Sequence, residues 1–364
     1  MSLLHQIALS LIPGVGNVTA RQLLSHCGSA QGVLSCPVKT LQKIPGVGPK
    51  TAEAIAQHSV LERAHRELEF IYKYQLKPLF IGDKDYPARM KNCVDAPVML
   101  YFKGQADFNS SKIISVVGTR KATDYGRELC KQLIADLKPY NPLVVSGLAH
   151  GIDSVVHKEC LKNNLQTIGV LGHGLDRIYP AQHRTLAEKM VKCGGLLTEF
   201  PSETNPDREN FPKRNRIIAG LADATIVVEA SLKGGALITA EIANSYNRDV
   251  MAFPGRVNDE YSAGCNFLIK TNRANLISDA KDLEYLLGWL QEPVKENKPQ
   301  LSLMLHLSAE EQSIAEVLQA KGLTAVDELA VLTRLPQSKL ALTILNMEMQ
   351  GLVIALPGKR YKLV

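Results

Sequence analysis

No run of apolar residues in this 364-residue chain approaches the 18 that a membrane-spanning helix requires. The opening segment MSLLHQIALSLIPG has no positively charged stretch ahead of its apolar residues, so neither a signal peptide nor a membrane anchor is predicted. Cysteine motifs are also missing. The seven cysteines are scattered and none sits in C-x-x-C, which argues against a zinc knuckle or a disulfide framework and for reduced thiols in a cytoplasm. The G-x-x-x-x-G-K-[ST] phosphate loop is absent, GPKT at 48–51 included. So is G-x-G-x-x-G: after Gly118 the next glycine is Gly126, which argues against a dinucleotide cofactor. The charge excess is small, +6, and permits an anionic partner without requiring one. These absences predict no cofactor, no metal and no ATPase chemistry.

A repeat is present. I-P-G-V-G occurs at 12–16 and again at 44–48, each time between helix-like stretches and followed one residue later by a residue and Thr-Ala. An apolar-x-Gly-apolar-Gly turn joining two helices is the helix–hairpin–helix pattern. Its glycines let backbone approach a neighbour, and the amides that open the second helix can face a phosphate. Gly14, Gly16, Gly46 and Gly48 are thus candidate phosphate contacts, with Lys50 as the cation near the second copy. The alternative is that the turns serve only to pack a small helical bundle.

The chain divides into four pieces. Residues 1–60 hold the doublet. Residues 61–290 form the main body, which begins with a mixed, proline-containing segment to 111 and continues as apolar strands alternating with helices. Val- and Ile-rich runs at 112–118, 142–147, 166–172, 195–200, 224–230 and 249–255 are apolar on both faces, as buried parallel strands are. A βα alternation of this kind predicts an α/β fold with a doubly wound parallel sheet. Residues 291–303 are polar with two prolines and read as a linker; 304–364 predict three helices and a hairpin, a winged helix.

In such a sheet ligands bind beyond the carboxyl ends of the strands. Those ends are Gly-rich: VVGTR with Gly118, Thr119 and Arg120; VVSGLAHGID with Ser146 and Gly147; VLGHG with Gly172; VVEASLKGGALITAE with Gly235 and Thr239. Exposed amides and hydroxyls on one rim suit an anion. Arg120 suits a phosphate by charge and geometry, unless it only pairs with Asp124. The segment RENFPKRNRIIAGL gathers Arg208, Lys213, Arg214 and Arg216 around Phe211 and Asn215. Cations that follow a backbone and a ring that stacks a base are what single-stranded nucleic acid requires. The competing reading is a solvated basic helix start with Phe211 in the core. His150, Asp153 and His157 fall on one helical face, but without a further ligand they are weak as a metal site, and His150 and Asp153 are expected to cap the helix and shape the loop instead.

Taken together, these strand-end motifs resemble the DNA-processing protein A family (DprA, also called Smf). Its GTR, SGxAxGID, GxGxDxxYP, FPxRNRIIxGL and FPG elements occur in order across 112–275. The resemblance implies an extended Rossmann-like fold flanked by a helix–hairpin–helix domain and a winged helix. It also implies a non-enzymatic, dimeric protein that binds single-stranded DNA and loads the RecA recombinase during natural transformation. Carried over, the DNA pocket is Gly118, Thr119, Arg120, Phe211, Arg214, Asn215 and Arg216, with Arg208 upstream and Ser146, Gly147, Gly172, Gly235 and Thr239 completing the rim. The dimer or partner face falls near Phe267, Ile269 and Leu276. The stretch LIKTNRANL and the SLKGGAL loop depart from the family's usual forms.

Two other classes compete. KGGALITAE at 233–241 is similar to the PGGxGTxxE loop of phosphoribohydrolases that cleave nucleoside monophosphates, with Glu241 in place. Leu237 and Ile238 stand where that chemistry needs Gly and Thr. A winged-helix regulator would read the major groove, yet the predicted reading helix offers only Lys339 as a cation, and the basic residues Lys359, Arg360 and Lys362 lie on the hairpin.

Overall fold

The computed structural model describes residues 2–57, 59–289 and 307–364. The expected linker, 291–303, lies outside the described residues.

The main body is a nine-stranded sheet. Its strands are β1 (Lys77–Phe80), β2 (Met99–Gly104), β3 (Ile113–Val117), β4 (Leu143–Ser146), β5 (Thr167–Val170), β6 (Gly195–Thr198), β7 (Ala224–Val227), β8 (Asp249–Ala252) and β9 (Asn275–Leu276). They lie in the order β1-β2-β6-β5-β4-β3-β7-β8-β9. From β6 to β9 every pairing is parallel; β1 and β2 are antiparallel additions at one edge. β3 to β7 are wholly buried, with helices covering both faces, which is why they read as unbroken apolar runs. β3 is central: β4 lies on one side and β7 on the other. The chain's winding reverses there, so the crevice of a doubly wound sheet opens at the carboxyl end of β3.

Residues 61–111 hold more structure than their mixed composition suggests. Leu61–Tyr74 is a 14-residue helix. Ala64, Leu68 and Ile71 recur at helical spacing, and Ala64 and Ile71 are buried.

In the N-terminal repeat Gly14 has φ 77° and Gly46 φ 79°, so both turns need glycine at the same place. The copies then diverge. Asn17, which opens the helix Asn17–Cys27, ties the first copy to the α/β body: its amide donates to Glu199 at 3.3 Å and its oxygen accepts from the Val98 amide at 3.1 Å. Arg21 adds a 2.6 Å bond to the Cys93 carbonyl. The matching residue in the second copy is Pro49, at the start of the helix Pro49–Ala56, and Lys50 beside it is exposed. Gly14, Gly16, Gly46 and Gly48 all remain exposed.

The C-terminal unit has the helices Ala309–Lys321, Val326–Thr333 and Gln337–Met349. Its three-stranded sheet is made of β10 (Thr324–Ala325), β11 (Val353–Leu356) and β12 (Arg360–Leu363), a winged-helix arrangement. It docks on the body through an ion pair between buried Arg248 and Asp327, with Lys359 Nζ 3.8 Å from Asp249. This corrects part of the sequence-based view of the hairpin as a basic tip: Lys359 faces the body and the Arg360 Nε donates to the Pro357 carbonyl at 3.3 Å, while Lys362 is exposed. Lys359→Ala should therefore change affinity for single-stranded DNA by less than about twofold in a fluorescence-anisotropy titration, because a cation paired elsewhere releases no counterion from the strand.

Candidate nucleic-acid interface

A cleft of about 380 Å³ opens at the carboxyl end of β3. One wall is the loop Gly118–Lys121. The opposite wall is the helix Asn210–Leu221, which presents Phe211, Arg214, Asn215 and Ile218. Ser231, Gly234, Gly235 and Thr239 close one end with Glu260 and Tyr261; Ala149 and Asp153 form part of the floor.

The loops hold each other by backbone. The Thr119 amide donates to the Glu229 carbonyl at 2.7 Å, and the Thr119 carbonyl accepts from Ile152 at 3.1 Å. Gly118 must be glycine, since a Cβ there would collide with the Ile152 side chain. Arg120 is therefore fixed at its main chain, while its side chain is exposed and has no ion pair among the described residues. Asp124, the partner its sequence neighbourhood offers, is bound to Arg127 at 2.7 Å. The Arg120 guanidinium lies 5.5 Å from the centre of the half-buried Phe211 ring, a cation–π contact.

Arg214 is a different kind of arginine. It is 3% exposed and donates to the Val170 carbonyl at 2.6 Å. A Cβ on Gly147 would land on its guanidinium, so Gly147 is the space that Arg214 fills. Burial lowers its pKa to about 10, with Asp153 opposing the shift and Arg120 adding to it; it stays a cation at neutral pH. Burial likewise pushes the Asp153 carboxyl up, against the pull of Arg214. A fixed positive charge thus lies beneath the exposed one.

Helix ends differ in availability. The helix Asp124–Asp136 has its N-terminus filled by the chain itself: Thr123 caps it, and the buried Glu229 carboxylate accepts from the Thr123 amide at 3.0 Å. The helix Gly235–Ser245 starts at Gly234 without a side-chain cap, and its first residues line the cleft. Those amides can receive an anion.

The structure separates the expected site residues. Gly118, Thr119, Arg120, Phe211, Arg214, Asn215, Gly235 and Thr239 line the cleft, and Gly147 lines an adjoining dent with Arg120 and Phe211. Thr239 spends its hydroxyl on the Gly235 carbonyl, 3.3 Å away. Gly172 lies behind Phe211: a Cβ there would sit 3.1 Å from the ring. Three expectations are corrected. Arg216 is turned out of the cleft and ion-paired with Glu199, while also donating to the Asp95 carbonyl at 2.6 Å. Two residues along a helix is a rotation of about 200°, so the R-N-R run cannot present both arginines to one cleft. Ser146 is fully buried and donates to the Val116 carbonyl at 2.7 Å, so it is not on the rim. Arg208 is exposed but does not line the cleft.

His150 and Asp153 were expected to cap the following helix and shape the loop; the cap residue is Gly151, with no side-chain bond, but Asp153 does shape the loop by accepting from the Ala149 amide at 3.3 Å. His157 is buried, bonded to the Thr167 hydroxyl at 2.7 Å, and its pKa is lowered to about 3 by burial. Glu241 is outside the cleft lining, paired with Arg273 at 3.1 Å. Sequence reasoning did not single out Lys121, Ser231, Gly234, Glu260 or Tyr261, all of which line the cleft; Ser231 and Gly234 belong to the loop that carries Gly235. Lys121 adjoins a motif already in view; Glu260 and Tyr261 follow the FPG turn and reach the cleft only through the fold.

Fold and cleft define a Rossmann-type α/β protein with a cationic crevice at its switch point, flanked by a helix–hairpin–helix tandem and a winged helix. Comparison with known proteins agrees. The family model described as DNA recombination-mediator protein A matches residues 77–287. A SAM-like helix-hairpin-helix tandem matches 7–58 and a DprA winged helix domain 299–359. Protein Smf of Synechocystis is 33% identical over 98% of this chain and 98% of its own. The X-ray structure of DNA processing protein A from Streptococcus pneumoniae superposes with a TM-score of 0.68 at 31% identity, over 77% of this chain and 96% of that one. That of DNA processing protein A from Helicobacter pylori, described for its single-stranded DNA binding mode, gives 0.52 at 26% identity over 57% and 94%. The chain belongs to the DNA recombination-mediator protein A family.

Proposed function

We propose that this chain binds single-stranded DNA in the cleft, without catalysing a reaction on it, and presents the strand to a RecA-type recombinase during natural transformation. The observation that carries the reading is Arg120: an exposed guanidinium without an ion pair among the described residues, set against a ring that can stack a base. Phosphates lie against Arg120 and the amides of Gly235 and Ala236 that open the helix, over the buried charge of Arg214. The relative from Helicobacter pylori, described for the same kind of ligand, supports it. The proposed domain boundaries lie at residues 60, 290 and 303.

The acting form is proposed as a homodimer. β9 pairs only with β8 among the described strands, which leaves an unpaired edge there. Leu276 on that edge and Phe267 near it are exposed. Ile269, half-buried against the chain's own core, is proposed at the margin of this face. The exposed turns at Gly14, Gly16, Gly46 and Gly48, with Lys50, are proposed as further phosphate contacts.

A salt series tests the reading. The logarithm of the binding constant for an oligothymidylate should fall linearly with the logarithm of salt concentration, with a slope of about −2 to −3 for three to four neutralised phosphates. A slope near zero would show that the cleft does not hold a phosphate backbone.

A further inference from the structure

The cleft does not end at Phe211. Beyond it a dent of about 30 Å³ is walled by Arg120, Gly147, His150, Tyr179, Phe211 and Arg214. Tyr179 is 48% exposed, a large ring left in solvent beside a cationic surface. Its backbone is held: the Tyr179 amide donates to Nε2 of the buried His173 at 3.2 Å, and the other ring nitrogen of His173 bonds the Gly174 carbonyl at 2.9 Å. Burial lowers the pKa of His173, in keeping with a neutral ring that accepts at Nε2. The ring centres of Tyr179 and Phe211 are 5.8 Å apart with their planes at 42°.

That geometry decides how bases could be arranged. One base between two rings needs parallel planes about 7 Å apart, twice the stacking spacing of about 3.4 Å. Tyr179 and Phe211 are too close and too tilted for this, so each ring can only take a base of its own. The dent between them is too small for a base, but it has room for a group of about the size of a water, such as a phosphate oxygen. Arg120 and Arg214 both border it.

We propose that this dent and the Tyr179 ring form a second nucleotide subsite. It takes the phosphate that joins two adjacent nucleotides at Arg120, with the base of one on Phe211 and the base of the next on Tyr179. The strand is splayed at that step, since tilted platforms cannot hold neighbouring bases in a continuous stack. The inference rests on the proposed binding of single-stranded DNA in the cleft and extends it by a named contact.

The test uses the full chain and oligothymidylates in which one base at a time is replaced by an abasic site, with affinity read by fluorescence anisotropy. The wild type should show two adjacent sensitive positions. Tyr179→Ala should lose about tenfold in affinity for the intact oligonucleotide, and only one sensitive position should remain. Tyr179→Phe, which keeps the ring, should restore both. Circular dichroism of Tyr179→Ala that matches the wild type shows that a loss is not misfolding; if that variant is unfolded, the wild-type abasic profile decides alone, and a single sensitive position overturns the subsite. Full affinity in Tyr179→Ala, or an unchanged abasic profile, overturns it while leaving the cleft intact, provided Arg120→Glu still abolishes binding. No binding of oligothymidylate by the wild type would overturn both the subsite and the reading beneath it.

Discussion

Arg120→Glu is expected to lower affinity for an oligothymidylate by about a hundredfold or more at moderate salt. A charge-assisted hydrogen bond from arginine to phosphate is worth about 1.5–3 kcal/mol. The glutamate adds repulsion of about 1 kcal/mol toward the same phosphate in a hydrated site. Together these come to about 2.5–4 kcal/mol, or two to three decades in the binding constant. The substitution also removes the cation–π contact with Phe211. Stability should hardly move, because Arg120 is exposed and its side chain has no ion pair among the described residues. Anisotropy titration with a parallel urea melt separates the two effects. Wild-type affinity in a folded variant would remove the phosphate from Arg120.

Arg214→Met should act on folding instead. The methionine keeps much of the side-chain volume and removes the charge, leaving Asp153 buried without its main counter-cation. Breaking a buried charge pair on one side costs about 3–5 kcal/mol when the remaining group stays ionised. Protonation of Asp153 relieves that cost, which fixes the sign of the pH dependence. Burial already raises the carboxyl above its ordinary 3.8 in the wild type, and loss of Arg214 raises it further. A group raised on folding binds more protons in the native state, so stability falls as pH rises through the folded-state value and is retained below the unfolded one. The deficit of Arg214→Met relative to wild type should be small near pH 4 and grow toward neutrality in urea unfolding. Adding Asp153→Asn should remove that pH dependence. A deficit independent of pH would mean that Asp153 and Arg214 do not compensate each other.

Much of this site was legible in the sequence for one reason. Parallel strands buried on both faces read as apolar runs, and the residues just after them must lie on the ligand-binding edge. Gly118, Thr119, Arg120 and Gly235 followed from that rule alone. Side-chain direction did not. The cations at 213, 214 and 216 look equivalent in the sequence, but the helix Asn210–Leu221 turns Arg214 down into the core and Arg216 away toward Glu199. Ser146 sits at a strand end yet points between β3 and β4 to bond Val116. β1 and β2 were not legible either, because prolines interrupt their surroundings and β6, which joins them to the sheet, is distant in sequence. In the repeat, Asn17 against Pro49 was visible as a difference, but its consequence, the hydrogen bonds by which Asn17 ties the first copy to the body, required knowing that Glu199 and Val98 lie opposite.

A cationic sheet edge shaped for an unpaired strand distinguishes single-stranded from duplex DNA. Competition measures this most directly: full-length wild-type chain, a labelled oligothymidylate, and unlabelled competitor added either as single strand or as the same sequence in a duplex. The single strand should displace the label at a concentration about a hundredfold lower than the duplex, since Phe211 can stack only a base that is free of its partner. Equal displacement by the two forms would contradict the account.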